Sequence, residues 1–141
     1  MDRFKRVPIS VQDPKERITN FDEVCLGYTE EEAMKEAQRC LNCKHHPCVD
    51  NCPVNIHIPR FIKHIAEGEF EEAAHVLAEQ TALPAVCGRV CPQEEQCEKV
   101  CVLGIKGEAV SIGKLERFAA DWARENNIDL AKTKEKNGFK V

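Results

Sequence analysis

Cys40-Leu41-Asn42-Cys43-Lys44-His45-His46-Pro47-Cys48-Val49-Asp50-Asn51-Cys52-Pro53 packs four cysteines into thirteen residues and closes on a Cys-Pro step. A second stretch answers it: Cys87-Gly88-Arg89-Val90-Cys91-Pro92, followed by Cys97 and Cys101. The ninth cysteine, Cys25, stands apart beside Val24 and Leu26. It reads as a small buried hydrophobe. The opening Met1-Asp2-Arg3-Phe4-Lys5 lacks the apolar core of a signal peptide. That predicts the cytoplasm, where thiols stay reduced unless something binds them. An odd cysteine count also cannot pair completely within one chain. A disulfide scaffold is disfavoured, and metal is left.

Outward from these stretches the chain reads as helix. Thr29-Glu30-Glu31-Glu32 is a capping box, in which the Thr29 hydroxyl accepts from the third helical N–H and Glu32 reaches back. Ala33, Met34, Ala37 and Leu41 then form an apolar stripe, so the spacing predicts a helix running into Cys40 and Cys43. Residues 44–58 read as a loop. Pro59 suits a helical first turn, where its missing N–H costs nothing. Phe61, Ile62 and Ile65 share one side. Gly68 breaks the pattern, and Phe70, Ala73, Ala74 and Leu77 resume it. Residues 84–104 read as the second cysteine loop. Ser111 is a candidate N-cap. Leu115, Phe118, Ala119, Trp122 and Ala123 form an amphipathic face that Asn126-Asn127 ends. No β hairpin is evident. The expectation is an all-α domain over residues 29–126, with an N-terminal arm over 1–28 and a linker over 127–141.

Composition narrows the function. With 31% charged and 43% apolar residues the chain is globular rather than disordered. Its formal charge of −4 is no nucleic-acid footprint. No apolar run approaches the roughly 20 residues of a membrane helix. Neither nucleic acid nor membrane is expected as a partner. Zinc would need four thiolate or imidazole ligands in a tetrahedron. Zinc modules commonly use short cysteine pairs, and only Cys40 and Cys43 form one, with His45 and His46 as further donors. A zinc-stabilised interaction module is the alternative reading. Iron–sulfur ligation explains more. A short loop with ligands two to four residues apart can wrap three irons, and a Cys-Pro cysteine can serve another cluster. Both groups contain that step, and eight clustered cysteines match two 4Fe–4S clusters by counting. The x2, x4, x3 spacing is not the x2, x2, x3 run of bacterial ferredoxins.

Three blocks carry a closer likeness. They are Gln38-Arg39-Cys40-Leu41-Asn42-Cys43 through Pro47-Cys48-Val49-Asp50-Asn51-Cys52-Pro53-Val54 and Ile58-Pro59-Arg60-Phe61-Ile62; Cys87-Gly88-Arg89-Val90-Cys91-Pro92 with Cys97 and Cys101; and Ile112-Gly113-Lys114-Leu115-Glu116-Arg117. Together, over about residues 20–125 and in order, they resemble the N-terminal iron–sulfur domain of the NAD(P)H-dependent glutamate synthase small subunit family. The ferredoxin:NADP oxidoreductase large subunit and the dihydropyrimidine dehydrogenase N-terminal domain are its relatives.

The resemblance implies an α-helical ferredoxin-like domain with two cysteine-rich loops and two 4Fe–4S clusters. Cys40, Cys43, Cys48 and Cys101 match the ligands of one cluster. Cys52, Cys91 and Cys97 match three ligands of the other, and Glu116 matches its fourth. Counting alone would give that place to Cys87. Read from the residues, Glu116 is a first-turn carboxylate favoured by the helix dipole that adjoins core Leu115. Two oxidised clusters would bring the formal charge from −4 to about −7. Arg39, Lys44, Arg60, Arg89 and Arg117 are candidate cations that would favour reduction. Arg89, inside the second loop, is the chief candidate cofactor-binding residue.

The relatives' reductases continue into a flavin domain. No G-x-G-x-x-G occurs in this chain, and Asn137-Gly138-Phe139-Lys140-Val141 looks like the start of that domain's first strand. The resemblance therefore implies a domain of a longer polypeptide that holds FAD and NAD(P)H elsewhere and is not catalytic alone. Its implied partners are the flavin domain and a redox protein. In glutamate synthase that protein is the large subunit, which makes glutamate from glutamine and 2-oxoglutarate.

Overall fold

Thr29 caps the first long helix as the sequence predicts. Its Oγ1 accepts from the Glu32 N–H at 3.3 Å, and Glu32 Oε2 accepts from the Thr29 N–H at 2.9 Å. This computed structural model describes residues 2–130 and Gly138. Its ten elements begin with β1 (Ser10–Val11), α1 (Pro14–Arg17), β2 (Cys25–Gly27), α2 (Glu30–Ala37) and α3 (Pro47–Asp50). They continue with α4 (Ile58–Glu67), α5 (Phe70–Ala78), α6 (Pro84–Val90), a 3-10 turn (Val102–Ile105) and α7 (Ile112–Glu125). The fold is mainly α, with one two-stranded sheet. No helix among the described residues is long and apolar enough to cross a membrane.

The core is the helical hairpin plus α7. Phe61, Ile62 and Ile65 of α4 are at most 1% exposed. Gly68 ends α4 in the left-handed conformation, φ 79°, which lets the Gly68 and Glu69 N–H groups satisfy the Ile65 and His64 carbonyls. The chain then reverses into α5, which buries Phe70, Ala73, Ala74, Val76 and Leu77. α7 packs against α2, α4, α5 and α6. Phe70 meets Phe118 edge-on at 5.1 Å and Trp122 at 5.5 Å. The Trp122 indole N–H donates to Glu30 at 2.9 Å and ties α7 to α2.

Four readings need correction. Residues 44–58, read as a loop, hold the short helix α3. α2 stops at Ala37 and does not run into Cys40. The presumed second loop begins with a helix, α6, whose first turn holds Pro84 and whose interior holds Gly88. Glycine lowers helix propensity, so the local signal is weak and packing on α7 makes the helix. Cys91 ends it in an extended conformation, φ −61°, ψ 138°, as the following proline demands. A small sheet also exists: β1 and β2 pair antiparallel, Ser10 opposite Gly27 and Val11 opposite Cys25, across a bulge. Strands this short carry no readable alternation. The suggested strand start at 137–141 lies outside the described residues apart from Gly138.

The N-terminal segment is fastened by a buried ion pair. Glu36 and Arg39 are fully buried and bonded to each other. Glu36 also accepts from the Val7 N–H at 2.7 Å and the Ser111 N–H at 2.8 Å. Arg39 donates to the carbonyls of Arg3 at 3.0 Å and Glu108 at 2.5 Å. One pair thus joins residues 3–7, α2 and the approach to α7. Ser111 sits at the α7 N-cap position, but its side chain makes no cap bond.

Candidate metal centre

Cys40 leaves α2 through a turn, its N–H on the Ala37 carbonyl at 3.0 Å. Asn42 and His46 then take left-handed backbones, φ 46° and 41°, which fold the loop tightly enough to bring Cys43 and Cys48 round. Asn is among the few residues that accept this readily. Pro47 opens α3 and carries Cys48 on its first turn. Cys101 arrives from far along the chain, just before the 3-10 turn. All four cysteines line one pocket of about 400 Å³, counting its open mouth, walled by Ile58, Ile62, Leu103, Val110 and Ile112. Burial pushes the Cys48 thiol up to about 12, with the neighbouring Cys40 and Cys101 adding to it. Burial also raises Cys40, against a hydrogen bond from the Asn42 N–H. The Val110 N–H donates to Cys101 Sγ at 3.5 Å. The Cys40 and Cys48 thiols therefore hold their protons near neutrality, and a metal must displace them on binding.

The second group is assembled by packing. Cys52 follows α3, Cys91 caps α6, Cys97 is buried, and Glu116 projects from α7. Asn51 donates to the Gln96 carbonyl at 2.6 Å, which fastens the neighbour of Cys52 to the neighbour of Cys97. α6 and α7 touch at backbone level: a Cβ on Gly88 would stand 2.6 Å from the Arg117 nitrogen. Burial pushes Cys97 up to about 12, and Glu98, Cys52 and Glu116 push the same way. Burial pushes Cys91 up to about 11, with Cys87, Glu116 and Cys52 adding to it. Cys52, Cys91, Cys97 and Glu116 therefore share one neighbourhood, and Cys87 adjoins Cys91.

Glu116 is the anomaly. It is 7% exposed, and its Oε1 has no hydrogen-bond partner. Burial alone pushes its carboxyl up to about 7. A buried, unsatisfied oxygen costs roughly 1–3 kcal/mol, and buried polar groups normally have a partner. A metal-facing carboxylate supplies one.

The cysteine and histidine donors are not gathered round a single point. Tetrahedral zinc–thiolate bonds of about 2.3 Å hold sulfurs about 3.8 Å apart. Among the described residues, no three cysteine or histidine donors of these groups lie within 4.8 Å of one another. His46 instead stands by His57, ring centroids 5.9 Å apart, and His45 is exposed. The donor set suits a larger inorganic core.

The candidate arginines are otherwise engaged. Arg89 spends its guanidinium on Glu23 (2.7 and 3.0 Å), Asp121 (3.1 and 2.7 Å) and the Ala85 carbonyl (2.9 Å). Arg117 pairs with Glu23 at 3.2 Å and Asp121 at 3.3 Å. Arg60 pairs with Glu79, Arg39 with Glu36, and Lys44 is exposed. Sequence reasoning missed this network, the Asn51 tie and the Gly88 contact. Only Gly88, a glycine between two cysteines beside a core helix, left a visible hint.

A profile described as dihydropyrimidine dehydrogenase domain II, 4Fe-4S cluster, matches residues 17–128. The NADPH glutamate synthase small chain of Escherichia coli K12 is 41% identical over 122 residues, 86% of this chain and 26% of that protein. The corresponding small chain of Halomonas elongata is 37% identical over 125 residues, 85% of this chain and 26% of that protein. The NAD-dependent dihydropyrimidine dehydrogenase subunit PreT of Escherichia coli K12 is 36% identical over 110 residues, 78% of this chain and 27% of that protein. The chain spans between 16% and 29% of the length of the curated relatives it matches.

Proposed function

The chain belongs to the dihydropyrimidine dehydrogenase domain II, 4Fe-4S cluster family, and from that premise we propose that it is an electron-transfer domain holding two 4Fe–4S clusters. Cys40, Cys43, Cys48 and Cys101 hold the first. Cys52, Cys91, Cys97 and Glu116 hold the second. What carries this reading is a single contrast: four thiols round one apolar pocket, and Cys91 and Cys97 beside a buried carboxylate oxygen that lacks a partner.

Thiolate-ligated cubane iron supplies one-electron transfer. The chain's residues supply the setting. Ile58, Ile62, Leu103 and Ile112 exclude water from the first pocket. The N–H groups of Asn42 and Val110, aimed at Cys40 and Cys101, favour the more negative, reduced state there. Cys48 and Cys52, like Cys97 and Cys101, serve different sites four residues apart, which holds each such pair within about 14 Å even if extended. The two sites are therefore neighbours, as a relay needs. Arg89, whose charge Glu23 and Asp121 balance, acts on the second site by holding α6 to α7 more than by its field.

In the longer parent, this domain passes electrons between an FAD module that takes hydride from NAD(P)H and a redox partner such as a glutamate synthase large subunit. The domain does no bond chemistry of its own. Iron and acid-labile sulfide analysis of anaerobically purified protein tests the core of the reading. It expects about eight of each per chain. Stoichiometric zinc without sulfide would overturn it in favour of a zinc-stabilised interaction module.

A further inference from the structure

The second site has five candidate donors for four positions. α6 and α7 make their backbone contact at Gly88 and Arg117. The residues immediately before each, Cys87 and Glu116, flank that contact. One turn further along, at the end of α6, Cys91 has both Cys87 and Glu116 as close electrostatic neighbours. Cys87 is half-buried, and its thiol contacts Thr81 Oγ1 at 3.8 Å. Against it stands Glu116, more than nine-tenths buried, with an oxygen that nothing in the protein satisfies. A soft thiol and a hard carboxylate thus both stand near Cys91, beside the α6–α7 contact. Iron in a cluster accepts either, with thiolate the softer and more common ligand.

We propose that Cys87 is a reserve ligand of the second site, able to take the position of Glu116 when the carboxylate is withdrawn. This rests on the two-cluster reading above. The exchange breaks one carboxylate–iron bond and forms one thiolate–iron bond. The thiol proton passes to the released carboxylate, and no electron moves.

Four proteins test it under anaerobic conditions: wild type, Glu116→Ala, Cys87→Ser and the double variant. Iron and sulfide are counted, EPR spectra are recorded after dithionite reduction, and Cys87 alkylation by iodoacetamide is followed by mass spectrometry. Cys87→Ser should match wild type. Glu116→Ala should keep full iron with one altered cluster signal, and Cys87 should become protected from alkylation. The double variant should lose iron from that one cluster only. Circular dichroism identifies any variant that has not folded, and the alkylation contrast between wild type and Glu116→Ala then stands alone. The proposal fails if Glu116→Ala loses as much iron as the double variant, or if Cys87 is alkylated equally in both. A wild type without two clusters would instead overturn the earlier reading.

Discussion

The two cysteine sites are built by opposite means. The first is largely a local product: Cys40, Cys43 and Cys48 fall within nine residues, and two left-handed positions, Asn42 and His46, shape the turn. Only Cys101 comes from a distance. The second has no local kernel. Cys52, Cys91, Cys97 and Glu116 meet because α6 lies against α7 with a glycine at the contact. A site written in a loop survives remote damage, whereas a site written in helix packing inherits every defect of that packing.

The largest blow should fall on both sites alike. Glu36→Ala leaves the fully buried Arg39 without its carboxylate and strips acceptors from the Val7 and Ser111 N–H groups. Breaking a buried pair on one side costs about 3–5 kcal/mol. Urea denaturation should report that loss, and an unchanged midpoint would contradict the role given to the pair. Next comes Gly88→Val, which drives a side chain into the Arg117 backbone at a cost of about 1–3 kcal/mol. It should remove iron from the second site and spare the first. Equal loss from both would erase the distinction between local and packed construction.

A smaller effect is expected from Asp121→Asn, about 1 kcal/mol. Burial would raise the Asp121 carboxyl, but hydrogen bonds from Arg89 and Arg117 outweigh it and hold it below the usual 3.8. The Arg89 hydrogen bond likewise holds Glu23 below 4.5. Groups with lowered folded values stabilise the protein above their unfolded values. That stabilisation fades as pH drops through about 4.5 and 3.8 and is gone below the folded values. Acid titration followed by circular dichroism should show a shallower loss in Asp121→Asn than in wild type. The smallest effect is Asn51→Ala, which gives up the bond to the Gln96 carbonyl at about 0.5–1.5 kcal/mol. Chelator challenge should strip the second site faster in that variant, with the first unchanged.

The same division governs what could be read from residues alone. The Thr29–Glu32 capping box, the α4–α5 hairpin and the apolar face of α7 were legible because each is a pattern within one segment. The first cysteine group was legible for the same reason. α6 was not, since its support lies on α7 and its own Gly88 argues against a helix. Glu116 came into view through a family likeness, and the physical feature that sets it apart, a buried oxygen with no partner, exists only once the chain is folded. The pairing of Arg89 was hidden for the same reason, because its acceptors, Glu23 and Asp121, lie 66 and 32 residues away. Leu41 belonged to the helical stripe in sequence, yet it is 41% exposed, because α2 has already ended.

The Glu36–Arg39 pair also sets an order of events during synthesis. Its carboxylate and guanidinium are made early, but the groups that complete their bonding, the Glu108 carbonyl and the Ser111 N–H, arrive about seventy residues later. Cys101 follows Cys48 by 53 residues. At roughly 5–20 residues per second, a nascent chain carries three thiols and a buried-pair-in-waiting for several seconds before either can close. Closure of the first pocket thus waits for Cys101, which is made within ten residues of the groups that lock the N-terminal segment.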